Sequence, residues 1–86
     1  MTTIEEINEI KKKIRLREWL INDLEKFESK FGLSTKEFVE KWRLKKIPEP
    51  EDHTVLEEFL EWEGLSESLE KVDNELKDIE NRIRES

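Results

Sequence analysis

Cysteine is absent from the 86 residues, and so are alanine, glutamine and tyrosine. Without thiols there is no disulfide scaffold, no cysteine-ligated zinc and no thiol nucleophile. Only two glycines occur, so no glycine-rich loop can cradle a phosphate. With no cysteine and a single histidine, His53, nucleophilic catalysis is not expected. Together with Asp52 and Glu57 this histidine makes a poor zinc donor set, so no metal and no cofactor are expected. The longest apolar run is Trp19-Leu20-Ile21, far short of the ~20 residues that cross a bilayer. No signal peptide is visible either, and the expectation is a cytoplasmic protein without membrane attachment.

Charge is what the chain has in quantity. Charged residues make up 45% of it, against about 25% in an ordinary domain. The distribution is uneven. Residues 1–47 hold 12 basic and 9 acidic side chains, a net of +3, whereas residues 48–86 hold 4 basic and 14 acidic, a net of −10. The basic residues gather in Lys11-Lys12-Lys13-x-Arg15-x-Arg17 and in Lys41-x-Arg43-x-Lys45-Lys46. Both clusters suit solvated faces, or partners for the acidic half, better than a nucleic-acid footprint, because the acidic half repels phosphate. Abundant Glu and Lys with no Gln also resemble thermophile composition.

Periodicity gives the fold class: all-α, one domain, with a short helix between two long ones. The first helix is expected over 4–31. Thr3 and Glu6 form a capping box at its start, and Gly32 stops it by taking the left-handed conformation. Ile7, Ile10, Ile14, Ile21, Leu24 and Phe31 form its stripe, widened by Leu16, Leu20 and Phe27, with Arg17 as the one gap. Such a rod is about 42 Å long. Ser34 and Glu37 cap a second helix expected over 35–46, with Phe38, Val39, Trp42 and Leu44 on its apolar side. Pro48 and Pro50 end it, and residues 47–53 form the connector.

The third helix is expected over 54–84, beginning at Asp52 or Thr54. Val55, Phe59, Trp62, Leu65, Leu69, Val72, Leu76, Ile79 and Ile83 follow one another at steps of three and four, a strict heptad stripe from Leu65 onward. Gly64 is the one place where this helix might be thought to break. The stripe runs through it without changing phase, and no capping box follows Ser66, so a continuous helix is expected. Two long rods with one apolar stripe each bury those stripes most economically as an antiparallel helical hairpin. The short helix then folds near the turn, and a second copy covers the thin flank in a homodimeric four-helix bundle. Trp19, Trp42 and Trp62, one on each helix, are expected in the packing.

One pattern has an enzymatic look. Glu57-Glu58-Phe59-Leu60-Glu61 and Glu75-Leu76-Lys77-Asp78 resemble the magnesium-binding motifs of all-helical nucleotide pyrophosphatases of the MazG type. Magnesium needs carboxylates converging at about 2 Å. Two facing helices supply that, but one continuous helix separates Glu61 from Glu75 by about 21 Å.

A longer stretch points elsewhere. Lys30-Phe31-Gly32-Leu33-Ser34-Thr35-Lys36-Glu37-Phe38, an acidic connector, and then Glu61-Trp62-Glu63-Gly64-Leu65 resemble small all-helical antitoxins of prokaryotic toxin–antitoxin pairs. The likeness spans about residues 26–70. It implies no catalysis, and a role in binding and masking a partner, often a nuclease. Charge supplies a mechanism for such a role without the resemblance, since an acidic half steers onto a basic nuclease surface. The expected anchors are Trp42, Phe59 and Trp62, ringed by Asp52, Glu58, Glu61 and Glu63. The competing expectations are a self-associating structural or adaptor bundle, a nucleic-acid binder and the magnesium pyrophosphatase.

Overall fold

Three side-chain caps set where the helices start. Thr3 Oγ1 accepts the amide of Glu6 at 3.1 Å, and Ser34 Oγ accepts that of Glu37 at 3.2 Å. Asp52 Oδ1 accepts the amide of Thr54 at 2.8 Å, while its carbonyl accepts the first helical bond from Leu56. Each cap satisfies an amide that the helix cannot pair internally. The computed structural model describes residues 3–85. It contains α1 (Ile4–Phe31), α2 (Thr35–Arg43) and α3 (His53–Glu85). No strand occurs among the described residues, so the chain is all-α.

The stops differ in chemistry. Gly32 ends α1 at φ 69°, and its amide donates to the Glu28 carbonyl. α2 ends at Arg43, three residues before the expected boundary at 46. There Lys45 takes φ 57° and the Lys46 amide reaches back to the Lys41 carbonyl at 2.8 Å. This is the left-handed closing turn usually reserved for glycine. It finishes the helix before Pro48 needs to, so the proline is not the cause of the stop. α3 starts at His53 because Asp52, and not Thr54, supplies the cap. It runs unbroken through Gly64, which keeps helical backbone.

Every residue of the expected α3 stripe is buried or half-buried. On α1 the phase is different from the expected one. Lys13 and Arg17 face α3, where Lys13 pairs with Glu75 and Arg17 Nε meets Asp73 Oδ1 at 2.6 Å. The inward seam is therefore Glu6, Ile10, Lys13, Arg17, Leu20, Leu24, Phe27 and Phe31, a regular 4-3 spacing in which two cations are members. Ile7 and Ile14 are left on a flank, 41% and 43% exposed. A third pair, Lys30 Nζ to Glu58 Oε2 at 2.5 Å, links the opposite end of α1 to α3. Rising numbers on α1 thus meet falling numbers on α3.

The core is concentrated at the α2 end. Phe38 and Trp62 are fully buried, and Leu24, Val39 and Phe59 complete the cluster. Trp62 lies flat on Phe38, with ring centroids 3.9 Å apart and planes 1° from parallel, and it also stacks with Phe27 and Phe31. Its indole N–H donates to Thr35 Oγ1 at 2.9 Å, and the Thr35 amide donates to Glu28 Oε2 at 2.6 Å. No buried side-chain polar atom among the described residues lacks a partner. Trp19, expected in the packing, is instead exposed on α1.

The molecule measures 53 × 21 × 18 Å, with a radius of gyration of 16.3 Å. A compact chain of this length has about 12 Å, so the shape is a rod thickened at one end.

The two glycines make opposite predictions. A Cβ at Gly64 meets nothing within 4 Å, so Gly64→Ala stabilises the helix interior by about 0.5–1 kcal/mol. Gly32→Ala places an alanine at positive φ and destabilises by about 1 kcal/mol. Urea titration of the two variants against the parent chain checks both signs.

Candidate partner-binding surface

The residues expected to meet a partner fall into two groups. Phe59 and Trp62 are interior side chains whose ring faces are taken up by Phe31, Phe38 and Trp42. In the folded chain they leave almost no surface for a partner to meet. The reason is positional: both lie on the stripe that α1 and α2 cover. Glu58 is held by Lys30, and Glu63 by Arg43 at 3.8 Å. Asp52 is exposed, but its carboxylate serves the α3 cap. Glu61 is exposed and makes no ion pair with a described residue. Trp42 is half-buried, stacking on Phe38 and meeting Phe59 edge-on, with one side left toward solvent.

That free side of Trp42 opens into a groove of about 560 Å³. Its walls are Trp42, Ile47, Pro48, Leu56 and Leu60, with Lys45 and Glu49 at the rim. Leu60 is 53% exposed and Leu44 66% exposed. Leu60 lies on the groove wall, so its exposure belongs to an apolar concavity and is not that of an isolated surface leucine. Sequence reading missed this groove. The available signal was Leu56 and Leu60, four apart and off the stripe of Phe59 and Trp62, so that they form a second apolar side on α3. Glu57 and Glu61, also four apart, run beside them. Glu57 likewise has no ion pair with a described residue.

The basic clusters are partly spent inside the chain. Lys13 and Arg17 pair with Glu75 and Asp73, and Arg43 reaches both Glu63 and Glu67. What stays exposed is split between Lys11, Lys12 and Arg15 on one part of α1 and Lys41, Lys45 and Lys46 around the end of α2.

The acidic motifs share one unbroken α3, so Glu61 and Glu75 are separated by 14 residues, about 21 Å of helix. Glu75 is also committed to Lys13. Among the described residues no three His, Asp or Glu side chains come close enough to hold a metal ion. His53 is exposed at the first position of α3. No helix is long and apolar enough to cross a membrane.

Against this geometry, the comparisons give no relative: no family model, curated protein or solved structure matches the chain.

Glu75 has a displaced acidity. The hydrogen bond from Lys13 holds it below the ordinary glutamate range; partial desolvation opposes this, and the charges of Lys13 and Lys71 reinforce it. A carboxylate whose acidity is greater folded than unfolded stabilises the fold above the unfolded value of about 4.3. That contribution fades as the pH falls through the lowered folded value. Lys13→Met is therefore expected to move the Glu75 titration up to the ordinary range and to remove this part of the acid sensitivity. Side-chain carboxyl NMR across an acid titration measures it, and an unmoved Glu75 midpoint in the variant would contradict the assignment.

Proposed function

We propose that this chain is a non-catalytic protein-binding module, antitoxin-like in its mode of action, that masks a basic partner. In this reading α1 and α3 form an antiparallel hairpin, α2 braces the turn, and two copies pair into a helical bundle. The partner, for which a small nuclease is the natural candidate, docks at the α2–α3 end. The observation that carries the reading is the groove of Trp42, Ile47, Leu56 and Leu60, whose α3 residues are followed in the chain by the exposed Glu57 and Glu61, neither of which makes an ion pair with a described residue. An apolar seat with Lys45 and Glu49 at its rim and two further glutamates adjacent along α3 complements a basic surface that carries an exposed apolar side chain.

The roles divide by chemistry. Glu57 and Glu61 speed encounter through long-range attraction, an effect that salt screens. Leu60 and the free side of Trp42 set the lifetime of the complex, since desolvated apolar contacts near the centre of an interface carry most of its energy. Glu58 and Glu63 are compensated within the chain by Lys30 and Arg43, so the uncompensated charge of this stretch falls to Glu57 and Glu61. The same pairing of Lys13, Arg17 and Arg43 supports protein binding over nucleic-acid binding, because it leaves the remaining cations in two separate groups.

The test is co-expression with the product of the adjacent reading frame. A stable complex is expected. Glu57→Lys with Glu61→Lys slows association and flattens its salt dependence, while Leu60→Asp raises the dissociation rate by about tenfold or more. A complex indifferent to all three substitutions, or no complex at all, contradicts the proposal and leaves the self-associating bundle as the reading.

A further inference from the structure

The uncovered flank of α1 continues the surface on which α2 sits. Thr35, at the start of α2, donates its amide to Glu28. Counting back by sevens from Glu28 gives Ile21, Ile14 and Ile7, and residues seven apart return to the same side within about 20°. On α3 the same count from Trp62, the residue under α2, gives Leu69 and Leu76, both half-buried. An open space of about 210 Å³ lined by Ile21, Leu24, Glu28, Thr35 and Leu69 lies at the edge of α2. α2 therefore fills only one end of a longer channel between α1 and α3. Beyond it the channel floor is apolar and uncovered at Ile7 and Ile14.

The sequence of this flank is complementary to its own reverse. Ile7, Lys11, Ile14, Glu18 and Ile21 follow one another at steps of four, three, four and three. Read backward about Ile14, Ile7 meets Ile21 and Ile14 meets Ile14, while Lys11 falls one residue, about 1.5 Å of helix rise, from Glu18, an offset that a lysine side chain spans. Both Lys11 and Glu18 are exposed and have no ion pair with a described residue. They are seven residues apart on one helix and too distant to pair with each other. A two-fold axis through Ile14 makes both ion pairs at once, as a self-complementary interface requires. The arrangement is also the one α2 permits. Two copies related in this way overlap only along the open channel, with each α2 at an outer end.

The surface area agrees. A compact protein of 10.5 kDa exposes about 5,400 Å², whereas this chain exposes 6657 Å². The excess, roughly 1,200 Å², covers the ~800 Å² per partner of a standard interface.

We propose that a second copy of this chain occupies the open channel, packed antiparallel about Ile14 with Lys11 of each copy against Glu18 of the other. The inference rests on the paired-hairpin reading above and names its surface. It uses the opposite end from the groove at Trp42 and Leu60, so the two sites work independently.

The test is sedimentation equilibrium of the full chain and its variants at micromolar concentration. The parent chain is expected to be a dimer. Ile14→Lys, at an exposed position that leaves helicity intact by circular dichroism, raises the dimer dissociation constant by roughly a hundredfold, since it acts twice across the axis. Lys11→Glu and Glu18→Lys each weaken the dimer, and the double swap restores it. Leu60→Asp leaves it unchanged. Because the chain has no cysteine, Ile14→Cys supplies a unique thiol that cross-links the two copies on mild oxidation. A monomeric parent, a dimer unaffected by Ile14→Lys, or a charge swap that fails to rescue would each overturn the proposal. Loss of partner binding with the dimer intact would instead remove only the docking role.

Discussion

The flat contact between Trp62 and Phe38 is the constraint from which the rest of the molecule follows. One indole on α3 touches rings from both other helices, with Phe27 and Phe31 of α1 and Phe38 of α2 around it. Stacked and edge-on aromatic pairs add about 0.5–1.5 kcal/mol each beyond the area they bury. Burying the indole N–H requires an acceptor, and Thr35 provides it. Thr35 is in turn held by Glu28 through its amide. This polar chain from α1 through α2 to α3 fixes α2 at one place, whereas an apolar contact alone would let it slide. In so small a domain, a handful of aromatic rings replaces the disulfide or metal that other short chains use.

Away from that end the physics changes. The seam of α1 carries Lys13 and Arg17 where a larger core would carry leucine, and their partners are Glu75 and Asp73. Partly exposed ion pairs contribute between nothing and about 1 kcal/mol. They set which side of α1 faces α3 more than they hold the helices together. The cost is that Ile7 and Ile14 are turned aside, and this exposes the flank argued above to receive a second copy. A strong aromatic end and a weak ionic end thus have a common origin in the phase of one helix.

The sequence made α3 legible because its stripe is apolar at every position and its phase survives Gly64. The limits of α1 were legible for a similar reason: Thr3 and Gly32 are strong signals. The phase of α1 was not, because apolar periodicity counts isoleucines and cannot foresee that Lys13 and Arg17 will turn inward to meet acids sixty residues away. The end of α2 was misplaced because the left-handed turn is carried by Lys45, a residue that gives no warning of it. Of the expected partner-binding residues, Trp42 lines the groove and Glu61 is exposed on α3, while Phe59 and Trp62 belong to the core. A tryptophan suits an interface and an interior equally well, and only the position of α2 separates the two. The groove itself depends on where residues 47–49 pass over Leu56 and Leu60, which no local pattern encodes.

The proposed function rests on unequal ends: a braced aromatic end carrying an apolar groove, and an ionic end left open. Native-state hydrogen exchange measures that inequality directly, under conditions dilute enough to keep copies apart. Amides of α2, of α1 near Leu24 and of α3 near Trp62 are expected to exchange only through global unfolding. Amides before Arg17 and after Asp73 are expected to open locally at lower free energy. Uniform protection along α1 and α3, or stronger protection at the ionic end than around Trp62, would contradict it.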